Sequence, residues 1–326
     1  MKIRFLSPYS NQLYEPTFRY RTDNVIRGLR ARGWDADQLR DLSDTSDVCI
    51  IHCFSSLATA LRIRRKCKIQ IYDVNDNLFF LENDHMCSRF LAESADMIVC
   101  ASKYLMKRYN PLNKNCFWIP DLIDDSVNAG TGGTMSGNAG DALIIVWMGH
   151  RDNVRYLSKV SKPLAALSKK YSILLKVITS ETEDSFYPTI EKLKGWMPTI
   201  KIRFVKWMHD TCFDELMGSD IAIAPLFNDE FSKSKSENKV VAYMKSGLPV
   251  IASPIPAYKN IIRSGYNGFL ANTDEQWLDA LEQLITDKGL RCTIGERGKK
   301  VTRYYEEDNI IAMWESVLMR MGQCLS

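Results

Sequence analysis

Short apolar runs alternate with stretches of helical spacing along almost the whole chain. That alternation limits the architectures open to it more than any other feature. Strands are expected at 2–7, 47–53, 68–74, 96–101 and 116–119, and again at 143–147, 173–179, 201–207, 221–226, 249–253 and 268–271. Helices are expected between them at 21–32, 57–66, 81–94 and 103–109. A strand followed by a helix and a second strand is the unit from which parallel sheets are built, so the pattern predicts an α/β chain with Rossmann-like sheets. At 326 residues the chain exceeds what one core usually holds, and two domains are expected. The tract Asn128–Gly140, NAGTGGTMSGNAG, is uncharged and too poor in apolar side chains to pack a core. The expected division is therefore a domain at 1–128, a flexible linker at 129–140, a second domain at 141–305, and a closing helix within 306–326. That helix is expected to pack back on the body through Ile310, Ile311, Met313, Trp314, Val317, Leu318 and Met321.

The charge balance excludes some functions. The first 128 residues carry 18 basic and 16 acidic side chains and the rest carry 25 and 23, so neither half has the excess expected of a nucleic-acid binder. The nine cysteines are scattered without metal-type spacing, which predicts a reduced, cytoplasmic chain; no aspartate-rich metal motif is evident, and neither a metal nor a cofactor is expected. Residues 1–8 read as a strand rather than a signal peptide, and no apolar run is long enough to span a bilayer. Arg62, Arg64, Arg65, Lys66 and Lys68 form a basic cluster that reads either as a solvated helix face or as a peripheral contact with the inner face of a membrane.

The stretch Ile221–Ala271 carries the chemistry. A strand ends near Pro225, and a loop with Lys233, Lys235 and Ser236 follows. A helix starts near Asn238, Gly247 stops it, and Pro249 leads into the next strand. A helix start offers unpaired N–H groups and the positive end of a dipole, and lysines beside it add charge, which suits a diphosphate.

Four segments also resemble a known family: Trp147-Met148-Gly149-His150, Asp220–Leu226, Lys239–Ser253 and Gly265–Phe269. They look like the donor domain of the family 4 glycosyltransferases over roughly residues 143–305, most similar to bacterial transferases that build surface polysaccharide. The resemblance implies two Rossmann-like domains facing across a cleft (the GT-B fold), a nucleotide-sugar donor, and retention of anomeric configuration. Residues 96–102 and 118–124 look like the closing elements of the family's first domain. The family carries two glutamates separated by seven residues, and here those positions hold Ser234 and Ala242. Glu237, Asp229 and Glu230 are the carboxylates near enough to substitute.

From these readings Gly149, Lys235, Ser236, Glu237, Asn238 and Lys239 are the donor-binding candidates. The loop reads alternatively as a solvated lysine-rich turn. Arg151 and Arg155 are the nearest cations after Gly149. His52, at a strand end, and Asp76 are the catalytic candidates. His52 reads equally as a buried histidine satisfied by backbone. Asp73 and Asn77, in the same Asp/Asn-rich turn as Asp76, together with Arg19 and Arg21, are the acceptor-side candidates. The turn also has a purely structural reading, and the arginines read equally as partners of Asp23 or Asp37. The expected function is transfer of a sugar from a nucleoside-diphosphate donor to a carbohydrate or lipid-linked acceptor, without metal. The alternatives are a degenerate, sugar-nucleotide-binding partner protein and a two-domain sugar-nucleotide epimerase.

Overall fold

The computed structural model describes residues 1–8, 15–52, 57–76, 85–123, 142–180, 187–209 and 211–322. The expected linker 129–140 and the candidate Asn77 lie outside them. The chain divides into two compact units. Unit 1 comprises Met1–Asp125, Asp229–Asn238 and Tyr304–Ser326, and unit 2 comprises Ser126–Asn228 and Lys239–Arg303. This differs from the expected division in one respect that bears on the site: the segment 229–238, placed by sequence in the second domain, packs with the first.

Unit 1 holds strands β1 (Lys2–Leu6), β2 (Asp35–Gln38), β3 (Ser46–His52), β4 (Cys67–Val74), β5 (Met97–Cys100) and β6 (Cys116–Trp118). All pair in parallel in the order β2-β1-β3-β4-β5-β6. Side chains alternate between faces with a period of two. Val48, Ile50, Ile69 and Ile71 therefore share a core with Val25, Ile26 and Leu29 of helix Asn24–Ala31 and with Ile310, Ile311 and Trp314 of helix Glu307–Gly322. Cys49, Ile51, Tyr72 and Val74 join the opposite core, with Leu91, Leu105 and Tyr109. The closing helix thus belongs to unit 1. Strand β2 was not expected, because its sequence, DADQ, is polar and only Ala36 enters the core. As an edge strand it needs one apolar residue rather than a run. The single helix expected at 21–32 is divided into a π-helical turn, Arg19–Asp23, and the α-helix that follows it.

Unit 2 holds β7 (Leu143–Met148), β8 (Ile173–Thr179), β9 (Lys201–Lys206), β10 (Ile221–Ala224), β11 (Val250–Ala252) and β12 (Phe269–Leu270). These are also parallel, in the order β12-β11-β10-β7-β8-β9. Trp147, Trp277, Leu157 and Leu281 lie in its core. The observed strands lie within a residue or two of most of those expected, as strong apolar periodicity allows.

Candidate functional site

In unit 2 the chain runs from β7 outward through β8 to β9, then returns to place β10, β11 and β12 on the other side of β7. The carboxyl ends of β7 and β10 therefore flank a topological switch point, where open α/β sheets bind ligands. Gly149 follows β7 there. Its N–H donates to the Ile178 carbonyl at 3.0 Å. A Cβ at this position would lie 2.8 Å from the Trp147 ring and 3.1 Å from Lys239 Nζ, so only glycine fits. Lys239 comes from the first turn of helix Asn238–Lys245, which begins after the connection from β10. Its ammonium group sits 4.7 Å from the Trp147 ring centroid, over the aromatic face. One turn later Tyr243, fully buried, accepts a 2.7 Å hydrogen bond from the Met148 N–H, tying the helix to the end of β7. Gly247, with φ at +74°, ends the helix as the sequence predicts. A cation, a backbone without a side chain and a helix start thus meet at the switch point. Of the nearby arginines, Arg151 lies 3.7 Å from Asp152, and Arg155 stacks on Tyr156.

The other loop candidates make their contacts inside unit 1. Lys235 Nζ pairs with Asp76 Oδ1 at 2.8 Å and lies over the Phe231 ring. The Ser236 hydroxyl donates to Asp121 Oδ2 at 2.6 Å. Glu237, only 2% exposed, accepts a 3.0 Å hydrogen bond from the Tyr305 hydroxyl. Burial pushes its carboxyl up to about 7, against hydrogen bonds from its own backbone and from Tyr305, and Asp121 adds to the rise. Asn238, half-buried, opens the helix that carries Lys239. The two positions where the resembled family has glutamates are both buried. Ser234 donates to the Phe231 carbonyl at 2.6 Å, and its own carbonyl accepts from the Ser102 hydroxyl at 2.9 Å. The nearby carboxylates are committed as well. Asp229 caps the short helix Glu230–Ser234 through the Ser232 N–H, and Glu230 pairs with Lys233 and accepts from Tyr104.

Three of the remaining candidates, His52, Asp73 and Arg21, converge at the carboxyl ends of β3 and β4. These strands pair so that His52 and Asp73 are direct neighbours on the face that packs against the closing helix. His52 Nδ1 is 2.8 Å from Asp73 Oδ2. Arg21 donates to both oxygens of Asp73, its Nη1 donates to the Ile119 carbonyl at 2.6 Å, and the same nitrogen lies 3.6 Å from Asp121 Oδ1. His52, Asp73 and Arg21 are all at most 1% exposed. Burial alone would raise the Asp73 carboxyl, but the Arg21 guanidinium and His52 outweigh it and hold it below the usual range. Asp121 goes the other way: burial raises it more than Arg21 and the Ser236 hydroxyl lower it. Arg21 also lies over the Trp314 ring at 5.6 Å.

A continuous buried line therefore runs His52–Asp73–Arg21–Asp121–Ser236. The expectation that the arginines meet Asp23 or Asp37 is corrected for Arg21, since Asp23 pairs with Arg27 and Asp37 with Arg30. Arg19 stacks on Tyr20 at 4.4 Å. Asp121 and Tyr305 were missed as site residues. The motif Trp118–Asp124 marked the position of Asp121, but nothing local couples Tyr305 to residue 237, 68 positions away in sequence. Among the described residues no cluster of three or more histidines, cysteines or carboxylates is arranged to hold a metal ion, and no helix is long and apolar enough to cross a membrane.

Residues 142–287 match the family model described as glycosyl transferases group 1. No curated protein matches the chain. Among solved structures, HepE of Anabaena in complex with UDP and glucose is 13% identical, with 98% of this chain and 99% of that one covered and a TM-score of 0.74. Sucrose-phosphate synthase of Thermosynechococcus elongatus is 13% identical, covers both chains fully, and has a TM-score of 0.72. TarM of S. aureus, a variant in complex with fondaparinux, alpha-GlcNAc-glycerol and UDP, is 13% identical over 82% of this chain at a TM-score of 0.63; the chain spans 55% of TarM's length. Two parallel Rossmann-like sheets and these likenesses establish the GT-B fold, and the match of residues 142–287 to the group 1 model supports a glycosyltransferase.

Proposed function

We propose that the chain transfers a sugar from a nucleoside-diphosphate donor to a carbohydrate or lipid-linked acceptor, with retention at the anomeric carbon and without a metal ion. The reading rests above all on Gly149 and Lys239 meeting at the switch point of unit 2. As the bond between sugar and diphosphate breaks, negative charge grows on the leaving group. Lys239 and the N–H groups at the start of helix Asn238–Lys245 are fixed in advance to meet it, which is the work a divalent cation does elsewhere. Donor contacts from Lys235, Ser236, Glu237 and Asn238 belong to the same proposal. So does an acceptor side made by Arg19, Arg21, Asp73 and Asn77, with His52 and Asp76 as the catalytic candidates. Asp76, half-buried and paired with Lys235, would orient the acceptor hydroxyl or take its proton. The family resemblance supports retention and a role in surface polysaccharide synthesis, and the UDP complexes of HepE support a uridine donor.

The test is a calorimetric titration with UDP and GDP in EDTA, on wild type and Lys239→Ala, followed by NMR of the products formed from the matching nucleotide sugar. Diphosphate binding lost in Lys239→Ala and a retained anomer would sustain the proposal; binding unchanged by the substitution would refute the donor site. Ser234 and Ala242, which stand where the family has glutamates, favour a second reading in which the chain binds the donor without turning it over. Tight binding with no product would select it.

A further inference from the structure

We propose that Asp121 and Tyr305 are positioning residues, which fix Ser236 and Glu237 by hydrogen bonds and so hold the first turn of helix Asn238–Lys245 for the donor diphosphate. The inference rests on the donor reading above and extends it to two residues that touch no donor. Ser236 and Glu237 are the last two residues before the helix, and each is 8% exposed or less. Each gives or takes one side-chain hydrogen bond with a residue distant in sequence: Ser236 to Asp121 at 2.6 Å, and Tyr305 to Glu237 at 3.0 Å. A loop of this composition normally stays in solvent, so two consecutive buried polar side chains with distant partners define one backbone path.

Each partner is itself anchored. Asp121 faces Arg21, whose guanidinium is held by Asp73 and the Ile119 carbonyl. Tyr305 packs edge-on against Tyr304, which stacks on Trp118 at 5.9 Å with the rings 11° apart. Upstream the Ser102 hydroxyl holds the Ser234 carbonyl, so the loop is pinned on both sides of Lys235. Lys239 follows Glu237 by two residues. A helix that starts one residue early or late turns its side chains by about 100° and carries Lys239 away from Gly149. Register at the helix start therefore decides whether the cation and the glycine meet.

The experiment measures Kd for UDP and GDP by calorimetry at 15 °C, with CD to verify folding, on wild type, Tyr305→Phe, Asp121→Asn, Ser236→Ala and the pair Tyr305→Phe/Glu237→Gln. Tyr305→Phe keeps the ring and removes only the hydroxyl, and Asp121→Asn keeps an acceptor for Ser236. We expect Tyr305→Phe and Ser236→Ala to weaken the diphosphate about tenfold, as loss of a hydrogen bond of about 1.4 kcal/mol allows, and Asp121→Asn to weaken it less. The double variant should bind no more weakly than Tyr305→Phe, because the hydroxyl that donates to residue 237 is already gone in the single variant. Lower melting temperatures with unchanged Kd would show a purely structural role and overturn the inference. Wild type that binds neither diphosphate would overturn the donor reading and the inference with it, whereas binding by Tyr305→Phe and Asp121→Asn equal to that of wild type would remove the positioning role alone.

Discussion

Glu237→Gln offers the most direct measurement of the buried polar loop. A carboxyl moved by burial from its ordinary 4.5 to about 7 takes up a proton in the folded state that the unfolded chain does not bind over that range. The stabilisation is complete below pH 4.5, shrinks as pH rises, and is gone above 7. At roughly 1.4 kcal/mol per pH unit the full effect is about 3 kcal/mol, most of which falls between pH 5 and pH 8. Glutamine cannot ionise and has nearly the shape of the protonated acid. The variant should therefore be about as stable as wild type at pH 5, apart from a constant offset for its buried amide. At pH 8 it should be more stable by about 2–3 kcal/mol in comparison. The other groups facing residue 237 are Asp121, Lys103, Tyr304 and Tyr305; their own titration is common to both proteins, and their coupling to the Glu237 charge is part of the shift being measured. Urea titrations at the two pH values, read on the transition that Trp314→Phe also moves, give the number. A wild-type-to-variant difference that stays constant within about 0.5 kcal/mol from pH 5 to pH 8 would refute the argument that burial controls this carboxyl.

Other outcomes follow from the same contacts. Gly149→Ala must push the Trp147 ring or Lys239, and should raise the Kd for UDP at least tenfold by calorimetry while unit 2 remains folded. Asp73→Asn leaves the buried Arg21 guanidinium without its counter-charge and should cost about 3–5 kcal/mol in urea unfolding, far more than Asp35→Asn at the exposed Arg4 pair. Trp314→Ala removes a fully buried side chain shared by the closing helix and the sheet of unit 1, and should cost about 3–5 kcal/mol by the same assay. Transfer activity, where found, should persist in excess EDTA; its loss and recovery on adding magnesium would refute the metal-free reading.

Local pattern determined much of this protein. Apolar runs broken by helical spacing fixed nearly every strand, because parallel strands buried on both faces must be apolar throughout. Gly149, Gly247 and Lys239 could be picked out in sequence because each occupies a fixed place relative to a strand or a helix end. The polar edge strand β2 could not, since its backbone pairing demands almost nothing of its side chains. Nor could the fate of residues 229–238. Sequence neighbours place them between two strands of unit 2, yet they find hydrogen-bond partners in unit 1: Ser102 for the Ser234 carbonyl, and Tyr104, Asp121 and Tyr305 for side chains. Whether the lysine and the glutamate of this loop meet solvent or a partner depends on residues 159 and 68 positions away, and no periodicity within the loop encodes them. The paired register of β3 and β4 likewise turned two separate candidates, His52 and Asp73, into one hydrogen-bonded pair. Short-range order was written in the chain, while the partners of its buried charges were chosen only when the sheet of unit 1 and the closing helix came together.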